Sequence, residues 1–178
     1  EMGNTPEILA VALEARPDFV CLVPENRREI TTEGGLDVAH ADTSLRRTIQ
    51  TLQDRGIRVS LFIDPEPQQV LASARVGADM VELHTGAFAN ASLEGGKAEL
   101  EWLREAAILA ANEGLQVNAG HGINLSNLVN LMRVPHLAEL NVGHHLIARG
   151  VFVGLARSIR DFKTLMASYP LPGEASTA

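Results

Sequence analysis

The sequence predicts an α/β fold built on a parallel sheet. Three observations carry that prediction. Short apolar, β-branched runs recur along the chain, longer amphipathic stretches separate them, and nearly every polar residue with chemical potential falls just after one of the runs. The runs are Phe19 to Val23, Ile57 to Ile63, Met80 to Leu83, Leu115 to Asn118 and Ala138 to Val142. Each reads as mostly apolar on both faces, as a parallel strand covered on both sides would be.

Helices are predicted between them. Pro6 to Ala15 has Thr5 as N-cap and proline at its first position; Ser44 to Arg55, Glu66 to Val76, Lys97 to Asn112 and Asn127 to Met132 follow. Gly56, Gly77 and Gly114 supply C-terminal stops. A single last helix, about Leu146 to Met166, closes the pattern, and residues 169–178 read as a flexible tail. Residues 1–168 are expected to form one domain.

Composition narrows the class. The 178 residues are 46% hydrophobic and carry 15 Lys+Arg against 22 Asp+Glu, a formal net charge of -7. That balance argues against broad affinity for nucleic acid or an anionic membrane, while leaving local anion sites open. No apolar stretch approaches the roughly 20 residues that cross a bilayer, and no leader pattern opens the chain. The single cysteine, Cys21, reads as an inert core thiol in a reducing, cytoplasmic setting.

In a parallel α/β fold the loops after the strands share one rim, where a (β/α)₈ barrel carries its active site. The rim residues here are Pro24-Glu25 and Thr31 to Gly35, then Asp64, His84-Thr85-Gly86, Gly120-His121-Gly122 and Gly143-His144-His145. Five strands do not close an eight-stranded barrel, which typically takes about 250 residues. Either the sheet is open or a barrel is present without its first strands.

Asn118-Ala-Gly-His-Gly is the strongest local feature, because small residues expose backbone N–H groups beside His121, which can move a proton near neutral pH. A tight turn whose histidine merely bonds a carbonyl is the alternative. Gly143 and His144 open a helix whose N–H groups suit a phosphate, whereas His145 reads as an ordinary first-turn residue. Glu82 alternates with Val81 and Leu83, placing a carboxylate inside the fold as an acid, a base or a partner of an arginine such as Arg58. A metal held by His84, His121, His144 and Glu82 matches no compact ligand spacing, and no dinucleotide, Walker-type or nucleophile-elbow motif occurs.

Taken together, Cys-Leu-Val-Pro-Glu (21–25), Thr-Thr-Glu-Gly-Gly-Leu-Asp-Val (31–38), Val-Ser-Leu-Phe-Ile-Asp (59–64), Glu-Leu-His-Thr-Gly (82–86), Val-Asn-Ala-Gly-His-Gly (117–122) and Glu-Leu-Asn-Val-Gly-His (139–144) resemble the pyridoxine 5′-phosphate synthase family. The resemblance runs in order from Glu1 to about Met166. It implies a TIM (β/α)₈ barrel, here without its first strands, and an acid/base condensation of 3-amino-2-oxopropyl phosphate with 1-deoxy-D-xylulose 5-phosphate. The products would be pyridoxine 5′-phosphate, phosphate and water, with no metal or organic cofactor.

By motif, the resemblance assigns Glu1 as a catalytic proton acceptor, His121 as general acid and Glu82 as transition-state stabiliser. Thr31 would contact the deoxyxylulose phosphate, and Gly122, Gly143 and His144 the aminooxopropyl phosphate. It further implies a homo-oligomer, an octamer in the family. Family members begin with three further strands that carry an Asn-x-Asp-His segment, an Arg and a His-x-Arg pair, so the chain alone is expected to be inactive. Here Asn124-Leu-Ser-Asn127 stands where a second histidine is usual, Phe88 replaces a frequent tyrosine, and His145 replaces a small residue. A shortened, non-catalytic phosphate-binding or assembly subunit is the alternative from a different functional class. Another phosphosugar barrel would explain the phosphate loops but not all the motifs, and no rim lysine is available for a Schiff base.

Overall fold

A computed structural model describes residues 1–24, 34–41, 43–91 and 96–168. The elements are α1 (Pro6–Ala15), β1 (Phe19–Leu22), α2 (Thr43–Gln53), β2 (Arg58–Ile63), α3 (Pro67–Val76), β3 (Met80–His84), α4 (Gly86–Ala91), α5 (Lys97–Asn112), β4 (Gln116–Gly120), α6 (Leu128–Leu131), β5 (Leu137–Asn141), α7 (His144–Val153) and α8 (Leu155–Ala167). The strands form one sheet in sequence order, β1-β2-β3-β4-β5, with every pairing parallel. That arrangement is five consecutive strands of a (β/α)₈ barrel. Ahead of β1, Met2 bridges Leu22 in parallel, so the first residues run alongside β1 like the end of a further strand.

The register sorts side chains onto two unlike faces. Val20, Leu22, Val59, Leu61, Ile63, Val81, Leu83, Val117 and Ala119 belong to the apolar core between sheet and helices, and Leu22, Leu61 and Leu83 are wholly buried. Truncating a buried leucine there costs about 2–5 kcal/mol. The opposite face carries the rows Cys21–Ser60–Met80 and Phe62–Glu82–Asn118. The reading of these strands as mostly apolar on both faces is therefore corrected for one face, which mixes Ser60, Glu82 and Asn118 with Cys21, Met80 and Phe62 because it lines the interior rather than the helical layer.

Thr5 caps α1 through its side chain, which accepts from Ile8 N, and Pro6 takes the first position, as its fixed φ and missing N–H favour. Two further corrections concern helices. The last helix is two, broken at Gly154 (φ 84°, ψ 140°), a conformation outside the helical region. A short helix, α4, also follows β3 directly, in a stretch whose Gly-Ala-Phe-Ala-Asn-Ala composition carries no cap or periodic signal. Among the described residues no helix is long and apolar enough to cross a membrane.

Candidate active site

The C-terminal ends of the strands open onto a cavity of about 830 Å³. Glu1, Glu82, His121, Gly122, Gly143 and His144 all line it, so the residues singled out from sequence are gathered in one place apart from Thr31, which lies outside the described residues. Asn141 and His145 line it as well.

Glu82 on β3 is 4% exposed. Its Oε2 accepts from Asn141 Nδ2 at 2.7 Å and faces the thiol of Cys21 at 3.6 Å. Arg58 is exposed at the start of β2, and Glu82 takes the Asn141 amide and the Cys21 thiol as partners instead. Desolvation pushes the Glu82 carboxyl above the usual carboxylate range; the Asn141 hydrogen bond opposes that shift, while the Glu1 charge adds to it. Cys21 is a buried free thiol, as expected, but it sits on the polar face, where burial and the Glu82 charge push it up to about 12. It is a protonated donor at neutral pH.

His121 ends β4 in a turn with φ 83°, a left-handed backbone that a residue with a Cβ adopts at a cost of about 1–3 kcal/mol and that concentrates at functional sites. The buried Thr85 hydroxyl sits 2.8 Å from the Gly120 carbonyl and 2.5 Å from that of His121. Asn127 donates to the Gly122 carbonyl at 3.1 Å from the other side. Gly122 itself needs its missing side chain: its φ is 72°, and a Cβ would lie 2.6 Å from that of Ala89. The imidazole is edge-on to His84, ring centroids 4.9 Å apart. Burial first, then His84 and His144, hold His121 below the ordinary imidazole range.

His84 is buried and held at Nδ1 by Asp64, 2.8 Å away; among the described residues its Nε2 has no hydrogen-bond partner. The same bond holds the Asp64 carboxyl below its usual range. Gly143, also in the lining, is the N-cap of α7, with open space where a Cβ would stand. The first N–H groups of a helix lack intrahelical acceptors, so this end of the cavity presents donors and the positive end of the helix dipole.

Sequence reasoning placed Asp64 and Thr85 on the rim without giving them a role, and missed Asn141 and Cys21 as parts of the site. Period-2 alternation from Glu82 would have put Cys21 and Asn141 on the inward face once the strand register was known. Among the described residues no group of three or more His, Cys, Asp or Glu side chains is placed to hold a metal ion.

A parallel βα sheet with a polar inner face, and with imidazoles, carboxylates and a helix N-terminus around one rim cavity, defines an enzyme of the (β/α)-barrel class. The chain belongs to the family described as pyridoxal phosphate biosynthesis protein PdxJ, which matches residues 1–168. It is 54% identical over 164 residues to a pyridoxine 5′-phosphate synthase of Akkermansia muciniphila, covering 92% of this chain and 67% of that protein. It is 49% identical over 173 residues to the protein of that name from Thermosynechococcus vestitus, covering 94% of this chain and 71% of the relative. The chain thus spans about two thirds of its relatives' length. A chain of the Amycolatopsis orientalis BexX/CysO complex matches in fold, with a TM-score of 0.56 at 17% identity, over 97% of this chain and 65% of that one.

Proposed function

We propose that the polypeptide containing this chain is a pyridoxine 5′-phosphate synthase that condenses 3-amino-2-oxopropyl phosphate with 1-deoxy-D-xylulose 5-phosphate, releasing phosphate and water. The observation that carries the reading is the convergence of Glu1, Glu82, His121, Gly143 and His144 on one cavity.

Joining an amine to a ketone, expelling water and closing a ring all require protons to move between carbon, nitrogen and oxygen. His121 gives a proton to a departing oxygen, a task helped by an imidazolium made more acidic through burial and neighbouring histidines. Glu82, raised by desolvation, stabilises the cationic intermediates and takes up protons closer to neutrality than an exposed carboxylate would. The two shifts narrow the gap between acid and base. Glu1, which lines the same cavity, serves as the second proton acceptor. Gly122, Gly143 and His144 hold the aminooxopropyl phosphate, using backbone donors in a protein of net charge -7, and Thr31 contacts the other phosphate. The reaction calls on no metal or organic cofactor. We place the enzyme in the cytoplasm as a homo-oligomer.

The test supplies both phosphorylated substrates to the full polypeptide and measures pyridoxine 5′-phosphate. Product that disappears with His121→Ala supports the reading. Phosphate binding without product would replace it with the phosphate-binding subunit.

A further inference from the structure

Two donors converge on one oxygen of Glu82. Asn141 Nδ2 reaches Oε2 at 2.7 Å, and the Cys21 thiol lies 3.6 Å from the same atom. Oε1 is packed over Gly120, in space that a Cβ there would occupy, and among the described residues no hydrogen bond reaches it. An amide nitrogen can only donate, so a proton on Oε2 would lose the Asn141 bond, and the Cys21 thiol, protonated at neutral pH, adds a second, weaker donor to the same atom.

We propose that Asn141, assisted by Cys21, is a positioning residue that fixes which oxygen of Glu82 exchanges its proton: Oε2 is held as a permanent acceptor, and Oε1, beside the Gly120-His121 turn, carries the proton. The carboxyl thereby acts with one defined direction, toward the strand end that bears His121. Asn141 tunes the group as well as aiming it, because hydrogen bonds to the ionised form favour ionisation and oppose the desolvation of a buried carboxyl. The other charges that act on Glu82 are those of Glu1 and Glu139, and both push the same way as burial. Asn141 and Cys21 therefore pull Glu82 back toward the ordinary carboxylate range against burial and the two neighbouring carboxylates. The inference deepens the acid/base reading of the site and rests on it for its catalytic meaning, but not for its physical content.

The experiment titrates the Glu82 side-chain carbon by carbon-13 NMR in the full polypeptide, as wild type, Asn141→Leu, Asn141→Asp and Cys21→Ala, with turnover and thermal unfolding measured on each. Asn141→Leu removes the donor at similar volume, and Asn141→Asp replaces it with a second carboxylate. The expected order of Glu82 titration midpoints is wild type lowest, Asn141→Leu higher and Asn141→Asp highest, with Cys21→Ala displaced upward by less than Asn141→Leu. Turnover should fall by about tenfold or more in Asn141→Leu at little change in KM, a part of the roughly 10²–10⁴-fold that general acid–base catalysis contributes. The low-pH limb of its kcat profile should move upward with the Glu82 midpoint. A Glu82 midpoint unchanged in Asn141→Leu, with folding intact, overturns the proposal. If both Asn141 variants fail to fold, an unmoved midpoint in Cys21→Ala overturns it, and an upward one supports it. Midpoints that shift in the expected order in a protein that makes no pyridoxine 5′-phosphate would retain the positioning role and reject the proposed reaction.

Discussion

Asn141 on β5 and Glu82 on β3 bond to each other across the intervening strand, Nδ2 to Oε2 at 2.7 Å. Gly120 of β4 makes the meeting possible: a Cβ at Gly120 would overlap Oε1 of Glu82 and come within 3.3 Å of the Asn141 Cβ. A single glycine therefore clears the space in which side chains of three strands combine.

Gly120→Ala is accordingly expected to displace the Glu82 carboxyl. Overpacking of this kind costs about 1–3 kcal/mol, which denaturant unfolding would measure. Turnover should fall further than stability, because the carboxyl loses its place as well as its packing.

Protonation of His121 is expected to depend on His84. In His84→Phe one of the charges that depress His121 is gone, so its NMR titration midpoint should rise while the effect of burial remains. The sign for stability follows. In the folded state His121 binds fewer protons than in the unfolded chain as pH falls through the imidazole range, so it lowers stability there and contributes no difference above that range. Asp64 acts at lower pH: its depressed carboxyl adds stability above the ordinary carboxylate range, lost as pH falls through its folded value. An Asp64→Asn protein should show a shallower loss of stability on acidification.

Cys21 should be unreactive while the protein is folded. The thiolate is the nucleophile, and a thiol at about 12 holds very little of it at pH 8. Alkylation by iodoacetamide is expected to be slow in the native protein and fast in denaturant; equal rates would contradict the placement beside Glu82.

Gly143→Asp separates helix stability from anion binding. The position has open space for a side chain, and a carboxylate at the N-terminus of α7 favours the helix dipole, so thermal stability should hold or rise slightly. The same charge would occupy the proposed phosphate end of the cavity, so affinity for inorganic phosphate should fall by roughly tenfold or more, a loss of about 1.4 kcal/mol. Calorimetry on both proteins checks the pair of outcomes.

Much of the fold was legible because periodicity and caps are local signals. α1 and α5 coincide with the predicted ranges, and each of the five strands lies within a few residues of its apolar run. The break at Gly154 was not legible, since Leu146 to Met166 keeps an amphipathic pattern through it and glycine inside a helix is tolerated. The two-faced character of the sheet was hidden for a different reason. Cys21, Ser60 and Met80 are not charged, so only the parallel register reveals that they share a face with Glu82. The main polar groups of the site were visible as residues after strands. Their supports were not: Asp64 meets His84, and Asn141 meets Glu82, across sequence separations of 20 and 59 residues that no local pattern encodes.

The most direct test of the account is the pH dependence of kcat for pyridoxine 5′-phosphate formation by the full polypeptide, wild type against His121→Asn. A proton donor that must be charged gives a rate that falls as pH rises through its titration, so the wild type should show that limb. His121→Asn should lose it and retain a rate about 10²–10⁴-fold lower. A variant that keeps the limb and turns over within about twofold of wild type would contradict the assignment of His121, and with it the proton-transfer site around which the account is built.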